Sequence, residues 1–226
     1  MDGTPLVLSL KTAFCSTLLT FLIGIYAARW TMKLKRLQTV VDTVFTLPMV
    51  LPPTVVGFFL LQLLGKQSVV GEWLGKWGIQ IVFSWTGTVI AAMVVAFPIM
   101  YRTARGAFEQ VNPDWVDAAR TLGLSEKKIF YSIILPNCWR GVLAGTLLSF
   151  ARALGEFGAT IMLAGNIPGK TQTLATAVYT AVQNGDRARA YEWVGIMVAI
   201  SFSTIVLLQL IQSQQGQWLK KGGNKK

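Results

Sequence analysis

The sequence contains no histidine, and that absence removes three classes of chemistry at once. Imidazole acid–base catalysis, imidazole-ligated metal sites and Ser-His-Asp triads are all out of reach. Cysteine is nearly as scarce. Cys15 and Cys138 are too few for a disulfide scaffold or a four-thiolate zinc site, and they read as small apolar packing residues. Charge is short as well: Asp, Glu, Lys and Arg make up 14% of the 226 residues, against roughly 25% in soluble domains. What the chain has instead is apolar, with 53% hydrophobic residues and a mean hydropathy of +0.50. Such a chain must turn apolar surface toward something other than water, and lipid is the solvent that fits.

Crossing about 30 Å of hydrocarbon takes about 20 predominantly apolar residues. Five stretches meet that requirement: about 6–28, with Lys11 near one end; 43–64 and 79–101, both uncharged; 141–164, carrying Arg152 and Glu156; and 193–211, uncharged. The expected fold class is an all-α integral membrane protein with five transmembrane helices. Residues 1–212 are expected to form one transmembrane domain, and 213–226 a short basic tail that frays. The first stretch is not expected to be a signal peptide, because it starts from Asp2 rather than a basic region and its apolar run is too long. No internal repeat is visible, which disfavours an inverted-repeat secondary transporter.

Lys and Arg are unevenly placed. Segments 29–42 and 102–137 and the tail hold thirteen, while 65–78 and 165–190 hold five. The positive-inside bias puts the N-terminus outside and the C-terminus in the cytoplasm. The net charge of +11 is thus a topology signal, and no nucleic-acid partner is expected. Trp30, Trp73, Trp77 and Trp193 stand near span ends, as interfacial belts require.

The segment 102–137 is too long for a plain connection, and it is patterned. Asn112-Pro113 is a helix start, with Asn as N-cap and Pro at the first helical position. Asp114 and Asp117 follow in the first turn, where the helix dipole favours negative charge. Trp115, Ala118, Ala119 and Leu122 fall on one apolar face. Gly123 then supplies a left-handed C-terminal residue, and Ser125 caps a second helix predicted over 126–135 and stopped by Pro136. The spacing therefore predicts helix, tight glycine turn, helix over 112–135. A short amphipathic helix can lie flat on a membrane or insert into a groove of a partner protein; the absence of a basic stripe favours the partner.

Asp117-Ala118-Ala119, three residues, Gly123, nine residues, Ile133, one residue and Leu135-Pro136 match the EAA motif of ABC importer permeases, with Asp117 in place of the usual Glu. Leu47-Pro48-Met49-Val50-Leu51-Pro52-Pro53-Thr54-Val55-Val56-Gly57 resembles the second-span segment of molybdate permeases. Phe150-Ala151-Arg152-Ala153-Leu154-Gly155-Glu156-Phe157-Gly158-Ala159-Thr160 resembles their fourth-span segment. The resemblance covers nearly the whole chain, and the length suits the compact molybdate type better than the longer sulfate permeases. It implies a type I ABC importer permease fold, with 112–135 as a cytoplasmic coupling segment between spans 3 and 4. Asp117, Ala118, Ala119, Leu122, Gly123, Ile133, Leu135 and Pro136 would then dock the ATP-binding subunit.

Pathway or gate candidates are Pro48, Pro52, Pro53, Thr54, Arg152 and Glu156. Prolines in a membrane helix free carbonyls that neighbours or water must satisfy. They mark either a simple kink or an irregular segment lining a pathway, and the family resemblance supports the second. Arg152 and Glu156 are ionisable groups within a span and stand i, i+4 apart, so they can pair as a structural brace or serve gating and anion passage. Gly165 with Gly169-Lys170-Thr171 falls short of a phosphate-binding loop, because Ala164 occupies the position that needs the first glycine.

These readings converge on the permease subunit of a bacterial inner-membrane oxyanion importer, most simply for molybdate, with tungstate as a related substrate. A second copy of the chain, two ATP-binding subunits and an extracytoplasmic substrate-binding protein are the implied partners. ATP and magnesium would be bound by the partner ATPase, and this chain would carry no cofactor, no metal and no covalent chemistry. The alternatives are a sulfate or thiosulfate permease and, from another class, an ATP-independent channel.

Overall fold

A computed structural model describes residues 3–34 and 36–222, and among them every regular element is helical. The helices are α1 Thr4–Thr31, α2 Gln38–Val50, α3 Pro53–Leu64, α4 Val69–Gly75, α5 Trp85–Glu109, α6 Pro113–Thr121, α7 Glu126–Ile129, α8 Leu135–Leu154, α9 Gly158–Ala164, α10 Leu174–Gln183 and α11 Arg187–Gly222. A π-helical turn, Phe130–Ile134, joins α7 to α8, so Glu126–Leu154 is one continuous helix. Among the described residues four helices are long and apolar enough to cross a membrane: Thr4–Thr31, Trp85–Glu109, Glu126–Leu154 and Arg187–Ile211. The pair α2 and α3 qualifies only when taken together, and it bends by 113°.

Several boundaries differ from the sequence expectation, each for a local reason. The second stretch, 43–64, whose prolines mark either a kink or an irregular segment, is broken at Leu51-Pro52. A residue before proline is driven out of the helical region. Leu51 and Pro52 both precede a proline, and both are extended, with ψ 143° and 135°. Pro48 leaves no break and lies inside α2. The stretch 79–101 gives way to α5, which starts where the Ser84 hydroxyl accepts from the Gly87 N–H at 3.3 Å and runs on to Glu109.

The fourth stretch shifts most. The helix does not start at 141 and continue to 164; it runs over Glu126–Leu154, breaks at 155–157 and resumes as the short α9. Pro136 was expected to stop a helix and does not. Its ring would collide with the carbonyl four residues back in a regular α-helix. The wide π turn just before it changes that register, and Asn137 Nδ2 donates to the Ile133 carbonyl at 2.7 Å. The fifth helix begins at Arg187, and its backbone runs to Gly222, through most of the expected tail. Asp2, Lys35, Lys225 and Lys226 lie outside the described residues.

The packing is the inverse of a soluble bundle. Side chains buried between α1 and its neighbours are small: Ser9, Thr12, Ala13, Ser16, Thr20 and Gly24. Large apolar ones such as Val7, Phe14, Leu22 and Tyr26 point outward. Lipid offers no hydrophobic drive between helices, so small residues that let backbones approach closely take that role. Thr12 and Thr88 hydroxyls stand 3.1 Å apart between α1 and α5, and Trp85 Nε1 donates to Thr12 at 3.0 Å. At one end an aromatic cluster of Phe45, Phe97 and Tyr101 joins α2 to α5 by edge-on contacts with ring centroids 5.2 and 5.4 Å apart.

Two glycines test this close packing. A methyl on Gly57 would stand 2.7 Å from the Ala159 Cα, which is backbone, whereas one on Gly24 would stand 2.8 Å from Cγ of the flexible Met100 side chain. Gly57→Ala should therefore cost about 1–3 kcal/mol, with Gly24→Ala at the low end or below it. Thermal unfolding in detergent checks the order: Gly57→Ala melts at the lower temperature.

Candidate functional site

The helix over 113–121 forms as its sequence dictates. The Asn112 side chain accepts from the Asp114 N–H at 2.9 Å, and Pro113 occupies the first turn. Gly123 closes it with φ +76°, in the left-handed region. Ser125 caps the next helix by accepting from the Lys128 N–H at 3.4 Å. Arg120 sits between the two helices. It donates to Asp117 at 2.9 Å and to Glu126 at 2.8 and 3.4 Å, bracing α6 against α7. Arg29, in the last turn of α1, donates to the Glu126 carbonyl at 2.9 Å and lies 4.1 Å from the Phe130 ring centroid.

The apolar face read from the sequence is divided. Ala119 is buried toward the bundle, while Trp115, Ala118 and Leu122 form an exposed stripe, with Trp115 52% and Leu122 80% accessible. Asp117 lies beside that stripe in its ion pair with Arg120. The other motif residues, Ile133, Leu135 and Pro136, belong to a different body. They sit on the long helix, where Ile134 and Leu135 pack against a buried cluster that includes Tyr101, Phe108 and Phe130. The candidate docking residues thus split into an exposed helix and the root that holds it.

The candidate pathway residues other than Pro48, which lies inside α2, stand at or beside two helix breaks that touch. A Cβ on Gly158 would stand 3.0 Å from the Pro53 Cβ and 3.1 Å from the Thr54 nitrogen, so the break before α9 touches the start of α3. Glu156 serves both sides of its break. Its Oε1 accepts from the Ala159 N–H at 2.8 Å, which caps α9, and its Oε2 stands 2.8 Å from Arg152 Nη1 on α8. The second contact is an ion pair whose angle falls short of a hydrogen bond. Glu156 is 2% exposed, whereas the Arg152 side chain keeps 31% of its surface. Spacing revealed the pair; the cap on α9 was invisible without knowing that the helix breaks. Pro52 and Thr54 are exposed in a single chain.

One cluster escaped the sequence reading. Asp42 on α2 takes both Arg105 and the Tyr101 hydroxyl of α5, and Arg105 also donates to Glu109 at 2.7 Å. The Thr31 hydroxyl of α1 lies 3.0 Å from Tyr101 Oη. In the sequence Arg105 is one of the basic residues of segment 102–137, and no local spacing links it to residue 42. The loop at 165–171 gathers no phosphate cradle, since the N–H groups of Lys170, Thr171 and Gln172 all turn inward onto the Ile167 carbonyl. A short helix, α10, follows within the segment 165–190.

Comparison with known proteins agrees with this architecture. A family model described as binding-protein-dependent transport system inner membrane component matches residues 20–217. The molybdenum transport system permease protein ModB of Escherichia coli is 42% identical over 91% of each chain. ModB of Haemophilus influenzae is 38% identical over 100% of this chain and 96% of its own. The sulfate transport system permease protein CysT of Escherichia coli is 31% identical over 92% of this chain and 76% of its own. Among solved structures, an inward-facing MetNI methionine ABC transporter matches with a TM-score of 0.67 at 15% identity, over 96% of this chain and 94% of that one, a likeness of fold.

The Arg152–Glu156 geometry sets an expected order of variants. Arg152→Ala leaves a buried carboxylate without its counter-charge, at a cost on the order of 3 kcal/mol. Adding Glu156→Gln removes that charge yet keeps an oxygen to accept from Ala159, so it should recover most of the folded protein. The amount of folded chain in the membrane measures this. A double variant no better than Arg152→Ala would mean that the two residues do not act as a pair.

Proposed function

This chain belongs to the binding-protein-dependent transport system inner membrane components, and from that premise we propose that it is the permease subunit of an ATP-driven molybdate importer. The observation that carries the substrate is the greater likeness, over nearly full length, to molybdenum permeases than to the sulfate permease. Tungstate, a tetrahedral dianion of the same shape, is a natural second substrate. Sulfate remains the runner-up, because its permeases share these motifs.

In this reading the chain crosses the membrane five times, with α2 and α3 together making one broken span. The N-terminus lies outside and the C-terminus inside. The exposed stripe of Trp115, Ala118 and Leu122 docks an ATP-binding subunit on the cytoplasmic side, as an amphipathic helix docks in a groove. Asp117 and Arg120 rim that contact. Two copies of the chain enclose the pathway, and the touching breaks at Pro53-Thr54 and Glu156-Gly158 line it. Discontinuous helices at membrane depth are where transporters place such sites. A substrate-binding protein delivers the anion from outside. The chain performs no covalent chemistry; ATP and magnesium belong to the partner.

Uptake of labelled molybdate in cells lacking their own permease tests this. Expression of the chain with its ATPase and binding protein should restore uptake; excess tungstate should compete and excess sulfate should not. Gly123→Val should abolish that uptake. Nothing lies within 4 Å of a Cβ at this position, so the damage is conformational: positive φ costs an L-residue about 1–2 kcal/mol, and more when β-branched. The variant should reach the membrane at normal level yet recover less ATPase in a pull-down, with Gly123→Ala milder. Normal uptake with valine would sink the coupling assignment.

Orientation is tested in a background lacking Cys15 and Cys138. Lys66→Cys should react with an impermeant thiol reagent in intact cells, and Lys127→Cys only after the membrane is opened. The reverse pattern would overturn the topology.

A further inference from the structure

The Asp42 cluster does not stand alone. It is the far end of a series of polar contacts, joined by the backbone at Glu126 and along the last turn of α1, that begins on the exposed helix α6. Arg120 of α6 holds the Glu126 carboxylate at 2.8 Å. Arg29 of α1 donates to the Glu126 carbonyl at 2.9 Å. Two residues further, in the same last turn of α1, the Thr31 hydroxyl meets Tyr101 Oη at 3.0 Å. Tyr101 in turn donates to Asp42 on α2. A second route reaches the same carboxylate, because Arg105 binds Asp42 and lies one turn from the end of α5, which leads through Asn112 into α6.

We propose that Asp42 is the positioning residue through which a movement of helix α6 is passed to α2, the first half of the broken span. The inference rests on α6 docking the ATPase. Coupling between distant sites travels through packed side chains, polar networks and rigid helices that have discrete alternative arrangements. The packed side chains, the polar network and the rigid helices of that description are present. α2 is short, has no fully buried residue of its own and ends at the 113° break, so it has little besides this cluster and the Phe45 contacts to hold it against α5. Both oxygens of the Asp42 carboxylate are engaged, one by Tyr101 and one by Arg105. The pair is also able to open. A cavity of about 520 Å³ lined by Thr39, Asp42, Tyr101, Arg102 and Arg105 lies beside it. The side chains keep 19% and 26% of their surface, so water can take over the charges when the helices separate.

The test is made on the full transporter in proteoliposomes, with three readouts: ATPase recovered with the permease, ATP hydrolysis, and molybdate uptake. Asp42→Asn should leave recovery and hydrolysis near wild type while uptake falls by roughly 10-fold, the signature of lost coupling. Asp42→Glu, which keeps the carboxylate, should regain much of the uptake. Tyr101→Phe keeps the ring contacts to Phe45 and Phe97 and removes only the hydroxyl, so it should uncouple partially. It also gives a reading should Asp42→Asn fail to accumulate. Unchanged uptake in both Asp42→Asn and Tyr101→Phe would overturn the relay. So would a fall of recovery, hydrolysis and uptake together, since that is mere loss of structure. Absence of uptake or ATPase recovery in the wild type would instead overturn the proposed function itself.

Discussion

A peptide group inside hydrocarbon has no water to turn to, so every place where a helix breaks must provide a partner for the groups it frees. This constraint organises the molecule. At Leu51–Pro53 the break costs few donors, because Pro52 and Pro53 have no N–H to lose, and the Pro52 carbonyl accepts from Val55 and Val56 at 2.9 and 3.2 Å. At 155–157 one freed donor of α9, the Ala159 N–H, is met by a side chain, the Glu156 carboxylate. Around Pro136 no break occurs: a π turn precedes it, and the Asn137 side chain adds a bond to the Ile133 carbonyl. The breaks at Pro53-Thr54 and Glu156-Gly158 then pack on one another, each stiffening the other.

Placing charge at such a break has consequences. Glu156 is almost wholly buried, and its cost is offset by two contacts of different kinds, a backbone N–H and a guanidinium. The pair thereby links three things that a simple brace would leave separate: the end of α8, the start of α9, and through Gly158 the start of α3. The Asp42 cluster does the same for α1, α2 and α5. A charged group thus ties α2 to the continuous helix α5, and another ties α9 to the end of α8, in a bundle packed elsewhere largely through small residues. Non-directional contacts let helices slide, whereas a charged pair with a defined partner fixes register.

The exposed stripe on α6 belongs to the same logic. A helix of nine residues has little stability of its own in water. It is held by caps at Asn112 and by the Arg120 brace to Asp117 and Glu126, which leaves Trp115, Ala118 and Leu122 free of internal duties. A rigid mount with an apolar face turned outward is what a docking element needs, and the anchoring of Glu126 by Arg29 ties that mount to the membrane helices.

Composition and periodicity by themselves determined the class of this protein: helical and lipid-facing, with an amphipathic helix set by Asn112, Pro113 and Gly123. These are local signals, written in caps, glycines and apolar runs within a few residues of where they act. The Arg152–Glu156 pair was legible for the same reason, being one helical turn apart. Helix limits were not. Hydropathy locates where a chain can enter lipid, but a helix continues as long as its hydrogen bonds close, so Lys127, Lys128 and Arg140 did not stop the helix that ends at Leu154. Equivalent prolines also diverged, since Pro48 stays helical and Pro52 breaks. The Asp42–Arg105–Tyr101 cluster, the Glu156 cap on α9 and the contact of the two breaks were decided only by the tertiary structure. Each joins residues on different helices, or depends on a break that no residue announces alone, and such contacts exist only once the helices have packed.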